Sequence, residues 1–270
     1  MGVIVFHDVT EEHRLRQALT DKVRELEEAV VAFKELDLLK TDFLNAISHE
    51  LRTPLTNVIG YVELLEDEVV GCLNPAQHDA IGKVMDSARH LLTLINDLLD
   101  FMQLEAGKVT FTLGPVDLPA LVAQVLPAVR TKSGKRLESG MRVEPGLPRA
   151  LGDHHRVMQV LEHLLDNAFK FTHEGGRIDV AVEPDDAGGV RVSIRDTGIG
   201  IPDEAIPKMF SKFYQVESGL RREAGGTGLG LAICKMLVER QGGRIGLTSR
   251  WGEGTTVWFT LPPWQGRVST

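Results

Sequence analysis

The chain has 270 residues, enough for one large domain or two ordinary ones, and 43 % apolar with 25 % charged residues is a globular balance. A formal net charge of −8 argues against a sequence-independent grip on nucleic acid. No apolar run reaches transmembrane length, the opening MGVIVFHDVTEEH lacks the flank and core of a signal peptide, and two distant cysteines, Cys72 and Cys234, suit a reducing compartment better than a disulfide framework or metal site.

Residues 2–6 (GVIVF) read as a short strand that ends at Asp8-Val9-Thr10. A lone strand is not stable, so the chain is expected to be the C-terminal part of a longer one. From Glu11 to Lys40 there is neither proline nor glycine. Leu15, Leu19, Lys22, Leu26, Ala29, Phe33, Leu36 and Lys40 follow alternating four- and three-residue steps, which predicts a parallel coiled coil. The seam continues through Phe43 and Ile47 into residues 43–55, FLNAISHELRTPL.

This stretch organises the chain. His49 is followed at once by Glu50, and Thr53, four residues on, shares its helix face. Pro54 is expected to loosen or kink the helix. By itself a His-Glu pair is an ordinary surface feature. As chemistry it is a nucleophilic imidazole with its base attached: a carboxylate that takes one ring proton makes the other nitrogen a better nucleophile.

Residues 71–75 (GCLNP) break the helix. Asn74 as N-cap, Pro75 in the first turn and Gln77 at capping-box spacing predict a second helix from Pro75 to about Glu105. Its apolar stripe is Ile81, Val84, Ala88, Leu91, Leu92, Ile95, Leu98, Leu99 and Met102, and Gly107 ends it. One such hairpin leaves its apolar face wet, whereas two close a four-helix bundle, so a homodimer is expected.

Beyond Gly107 the pattern predicts strands at 109–113, 141–144, 176–182, 190–195, 244–249 and 255–261, and helices at 117–131, 153–172 and 229–241. The expected fold is an α+β sandwich, a mixed sheet under a layer of helices.

Three motifs lie in this second half. In HLLDNAFKFT, Asn167, Lys170 and Phe171 share a helix face with His163. An Asn amide oxygen can ligate magnesium, a Lys can meet phosphate, and a Phe face can cover a purine. In DTGIGIP, Asp196 is an acceptor suited to the exocyclic amine of adenine, with Gly198 and Gly200 allowing close backbone approach. GGTGLGLAI, residues 225–233, places glycines at a helix start, an anion site that is neither a Walker nor a Rossmann fingerprint. Between the last two, residues 202–225 are polar and poorly periodic but carry MFSKFYQ, which reads as a lid that folds onto a ligand.

These motifs, in this order after His-Glu-Leu-Arg-Thr-Pro, resemble the sensor histidine kinases of two-component systems over about residues 41–262. The DVT triplet likewise resembles the end of a PAS sensor domain. The resemblance implies a PAS end at 1–10, a coiled-coil signal helix at 11–40, a dimerisation and phosphotransfer hairpin at 41–109, a GHKL-type ATP-binding domain at 110–262 and a tail at 263–270. It makes His49 the phosphorylated residue, Glu50 its proton acceptor and Thr53 a helper in dephosphorylation. Asn167 matches the Mg2+ ligand, and Lys170 a phosphate contact. Asp196 with Gly198 and Gly200 matches the adenine-reading loop. Phe210 and Phe213 match the aromatic box, Lys212 a basic phosphate contact, and Gly226, Thr227, Gly228, Leu229 and Gly230 the phosphate loop. His163 stands where the family commonly has Asn, which leaves the metal shell open.

The implied function is ATP-dependent autophosphorylation of His49, then transfer to an Asp of a response-regulator receiver domain, in the cytoplasm and with no membrane segment in this chain. A catalytically weak scaffold set by nucleotide and a plain GHKL ATPase are the other readings. His163 is the one feature that favours the former, and the His-bearing hairpin is unexplained by the latter.

Overall fold

The computed structural model describes residues 10–216 and 227–266. The expected strand at 2–6, most of the PAS-like stretch, Gly225 and Gly226 lie outside the described residues. The chain divides into two compact units, residues 1–54 and 55–270.

The described part of the first unit is helical. Helix α1, Thr10–Glu66, runs through it and past Pro54 without interruption, so the proline removes one backbone donor but ends nothing. Leu15, Leu19 and Leu26 of the seam are each more than 60 % exposed on the single chain. An isolated helix with a wet apolar seam has little to hold it, which is the condition a coiled-coil partner relieves.

The second unit opens with the end of α1 and a hairpin into α2, Pro75–Glu105. The capping box forms as the sequence predicts: the Gln77 N–H donates to Asn74 Oδ1 at 2.9 Å, and the Asn74 N–H donates to Gln77 Oε1 at 2.8 Å. Gly107 follows the helix end with φ 68°, a left-handed turn that favours glycine. Ala88, Ile95, Leu99 and Met102 of the stripe are buried, with Phe101 and Leu104 added, while Val84 and Leu91 are 48 % exposed. Those two, with Val58, Tyr61 and Leu64 of α1, leave apolar surface on the hairpin.

The remainder is a five-stranded sheet with helices on one face. The elements are β1 (Gly114–Val116), α3 (Leu118–Ser133), β2 (Glu138–Val143), β3 (Ala150–Gly152), α4 (His154–Phe171), β4 (Arg177–Pro184), β5 (Val190–Asp196), α5 (Gly230–Arg240), β6 (Arg244–Arg250) and β7 (Gly254–Leu261). The sheet order is β2-β4-β5-β7-β6, with β2 and β4 parallel and the other pairs antiparallel. Period-two alternation buries Ile178, Val180 and Val182 of β4 and Val190, Val192 and Ile194 of β5. Leu161, Leu164 and Leu165 of α4 and Leu121, Val122 and Val125 of α3 are buried where those helices meet β5 and β4, and Ile233, Leu237 and Val238 of α5 are buried where it meets β6 and β7. Charged residues stand at both edges: Glu138 and Arg142 on β2, Arg244 and Arg250 on β6.

Residues 109–113 do not form the expected strand. The Thr112 N–H donates to Asp153 Oδ2 at 2.7 Å instead of to a ladder. A two-stranded sheet of β1 and β3 lies just beyond, and β3 was not expected because three residues carry no period. The tail is partly tied down: Pro263 bridges Ala150, and the Trp264 N–H donates to the Arg149 carbonyl at 2.7 Å.

Replacing Asn74 with Ala removes the side-chain half of the cap. The expected loss is about 1 kcal/mol of stability, read as a lower urea midpoint with an unchanged slope.

Candidate active site

Helix α4 supplies the first wall. Asp153 caps it, its Oδ1 accepting from the His155 and Arg156 amides at 3.0 and 3.1 Å. At the other end the Lys135 ammonium donates to the carbonyls of Phe169, Lys170 and Thr172 at 2.9, 2.7 and 2.8 Å. One cation thus satisfies the orphan acceptors of the last turn and complements the helix dipole. That turn carries Lys170 and Phe171, which with Asn167 line a cavity of about 660 Å³. Small-ligand sites span about 300–1,000 Å³.

The second wall is the end of β5. Asp196 is buried, and its Oδ1 accepts from the Gly198 N–H at 2.8 Å and the Thr255 N–H at 3.3 Å. Burial pushes its pKa above the usual carboxylate value, and the two amides oppose that rise. The loop beyond is pinned from both sides. The Ile199 N–H donates to the Phe171 carbonyl at 3.2 Å, and the Gly252 N–H to the Ile199 carbonyl at 2.8 Å. A Cβ on Gly198 would stand 2.4 Å from the Phe171 oxygen, and one on Gly200, at φ 69°, 1.9 Å from the Arg250 oxygen. These glycines let backbones touch and so hold Asp196; they do not themselves line the cavity.

The third wall is the start of α5. Thr227, Gly228 and Gly230 line the cavity, and Leu229 is buried beneath them. The Leu229 N–H donates to Thr227 Oγ1 at 3.0 Å. Gly228, at φ 68°, lies where a Cβ would meet the Phe213 backbone at 2.7 Å. Gly226 lies outside the described residues.

Three further expected residues, Phe210, Lys212 and Phe213, do not line the cavity. Lys212 pairs with Glu105 of α2 and sits over the Phe101 ring, 4.9 Å from its centroid. Phe213, at φ 59° and 63 % exposed, meets Phe101 edge-on at 6.3 Å. Phe210 is likewise not among the lining residues, whereas Met209 and Tyr214 are. The segment has no period of its own, so contact with α2 decides which way its aromatics turn.

His163 also takes a place the sequence does not announce. Its Nδ1 lies 3.0 Å from the Gln159 carbonyl and its Nε2 3.3 Å from Asp97 Oδ1. Both ring nitrogens face acceptors, which suits the imidazolium. Burial opposes the charge, but the Asp97 carboxylate and the Gln159 carbonyl hold the pKa above its ordinary 6.5. A raised histidine pKa adds stability that is present below about pH 6.5 and fades as pH rises through the folded value.

Among the described residues no group of three or more His, Cys, Asp or Glu could hold a metal. Asn167, which lines the cavity, could hold a hard divalent ion through its amide oxygen. His49, Glu50 and Thr53 lie on α1, with Glu50 exposed and Thr53 one turn beyond His49. Lys135, Asp97 and Met209 are not singled out by the sequence, whereas Tyr214 is one of the aromatics of the MFSKFYQ segment read as a lid. For Asp97 the available signal is a carboxylate interrupting the apolar stripe of α2 between Ile95 and Leu99; for Lys135 it is a basic residue directly after the α3 C-cap, Gly134.

A helical hairpin with a histidine on its first helix, followed by a sheet whose α4 and α5 frame a largely apolar cavity with a few polar side chains, defines a phosphoacceptor hairpin joined to a GHKL-type nucleotide domain. The sequence matches two family profiles in that order: His Kinase A (phospho-acceptor) domain at residues 39–107, and Histidine kinase-, DNA gyrase B-, and HSP90-like ATPase at residues 152–265. The chain belongs to the sensor histidine kinases of two-component systems. It is 38 % identical to the sensor histidine kinase GacS of Pseudomonas protegens, over 93 % of this chain and 29 % of that protein. It is also 38 % identical to the signal transduction histidine-protein kinase BarA of Escherichia coli, over 97 % of this chain and 30 % of that protein. The chain therefore spans under a third of these relatives. The crystal structure of full-length ShkA in complex with AMPPNP superposes with a TM-score of 0.66 at 35 % identity, over 82 % of this chain and 46 % of that one. Among the described residues no helix is long and apolar enough to cross a membrane.

Exchanging Lys135 for Met leaves three carbonyls at the end of α4 without their cation. The expected outcome is a loss of about 1–3 kcal/mol of stability and weaker AMPPNP binding, measured by chemical unfolding and calorimetry.

Proposed function

We propose that the chain is the kinase core of an ATP:protein-histidine phosphotransferase that works in the cytoplasm as a homodimer, with 11–40 as signal helix, 41–109 as the phosphotransfer hairpin and 110–262 as the catalytic domain. The observation that carries this reading is convergence: residues from three separate motifs, Asn167, Asp196 and Thr227 among them, surround one cavity. Asp196, with Oδ1 committed to two amides, accepts from the adenine amine through its second oxygen. Lys170 and the amides of residues 227–230 receive the phosphates. Asn167 would hold a magnesium ion, which would spread the charge of the phosphate oxygens.

A His49 ring nitrogen attacks the γ-phosphorus in line, forming a P–N bond as the bond to the β,γ-bridging oxygen breaks and ADP leaves. Glu50 takes the proton from the other ring nitrogen. The phosphoryl group then passes to an Asp on a response-regulator receiver domain. Thr53, one turn from His49, orients water for the reverse task of clearing that aspartyl phosphate.

His49→Gln should abolish acid-labile, base-stable label from radioactive ATP while AMPPNP affinity is retained. From the unsubstituted chain, free phosphate without protein label would instead favour a plain ATPase, and neither product a nucleotide-set scaffold. Thr53→Ala should leave autophosphorylation within a few-fold of wild type, about 1 kcal/mol or less in the barrier, while loss of label from a phosphorylated regulator slows much further. Equal losses in both assays would assign Thr53 to helix structure alone.

A further inference from the structure

Asp97 lies on α2, outside the family's nucleotide motifs, yet its carboxylate reaches two of them. Oδ1 faces His163 Nε2 at 3.3 Å, and Oδ2 accepts from the Thr227 hydroxyl at 3.1 Å. His163 is one turn before Asn167 on α4, and Thr227 lies in the glycine loop. The Thr227 hydroxyl, already accepting from the Leu229 N–H, has its donor taken by Asp97.

The same face of α2 makes further contacts. Gln159 Nε2 donates to Asp100 Oδ2 at 2.6 Å, Arg240 donates to the Leu104 carbonyl at 2.5 Å, Lys212 pairs with Glu105, and Phe213 meets Phe101. His90, Thr93, Leu94 and Asp97 of α2 complete the lining of the cavity. The helix is therefore a wall of the nucleotide site, and it presents the Asp97 carboxylate there, with His163 as its partner.

A triphosphate is also negative and needs the same donors. With Asp97 in place, the Thr227 hydroxyl of the glycine loop is engaged, and an anion brought beside it meets a carboxylate in a part-buried setting where screening is weak. We propose that Asp97 is a latch that holds α2 docked against the nucleotide site and that ATP must displace, so docking and nucleotide binding oppose one another. The inference rests on the reading of this cavity as the ATP site. Linkage makes the opposition reciprocal: docking weakens nucleotide binding by the factor by which nucleotide weakens docking. Undocking frees the catalytic domain from α2, a step that precedes any new contact with the histidine helix.

The test uses the full chain and AMPPNP with magnesium. Asp97→Ala should bind AMPPNP at least about fivefold more tightly than wild type; an unchanged or weaker affinity in a variant that melts cooperatively overturns the latch. In wild type, a zero-length carbodiimide link between Glu105 and Lys212, read by mass spectrometry, should fall in yield when AMPPNP saturates the protein. A constant yield overturns the latch without reference to any variant. A wild-type chain that binds no AMPPNP overturns the reading of the cavity itself, and the latch with it.

Discussion

The last turn of α4 is where the demands of the backbone and those of the site meet. A helix end leaves acceptors unsatisfied, and here they point toward the residues that must face a ligand. Lys135 closes three of these carbonyls, and the Phe171 carbonyl takes the Ile199 N–H from the Asp196 loop. The helix is fixed as firmly at its start, where Asp153 caps it, holds Thr112 and donates its own N–H to Gln241 Oε1 at 2.7 Å. With both ends tied, the Asn167, Lys170 and Phe171 face is set relative to Asp196 by covalent and hydrogen-bonded geometry. Such pre-ordering lowers the entropic cost of gathering polar groups around a ligand.

Helix α2 then serves two masters. Its apolar residues need cover, and Phe101, Met102 and Leu104 are buried. Its carboxylates, Asp97, Asp100 and Glu105, each meet a donor from the nucleotide domain. Apolar contact gives the docked state its adhesion, whereas the polar contacts give it an address that a competing anion can read. An interface built that way is separable, because charged contacts to exchangeable donors are lost more readily than a buried apolar core.

Much of this was legible in the sequence because the signals were local. The Asn74–Gln77 box, the period-two strands and the glycines around Asp196 each depend on residues within a few positions of one another. Where the structure departs from expectation, the deciding partner is remote. Residues 109–113 alternate like a strand, but the backbone of Thr112 finds a carboxylate 41 residues away. Lys212 and Phe213 sit in a motif that suggests the cavity, yet their partners Glu105 and Phe101 lie more than a hundred residues earlier and draw them aside. His163 in place of Asn reads as a perturbed metal shell from sequence alone; the structure gives it Asp97, 66 residues earlier, as a counter-charge.

The borders of the sheet carry a consequence for how copies of the chain can meet. A bare outer strand offers unpaired amides and carbonyls to any similar strand, which is the route to open-ended polymers. Here both outer strands end in charge. Glu138 and Arg142 on β2 engage Arg177 and Glu183, and Arg244 and Arg250 on β6 engage Asp185 and Glu253. A second sheet arriving in register would have to strip water from these groups and bring like charges together. Growth by strand addition is thus discouraged at either end, and self-association is left to the helices, whose exposed apolar seam closes after a finite number of copies instead of propagating.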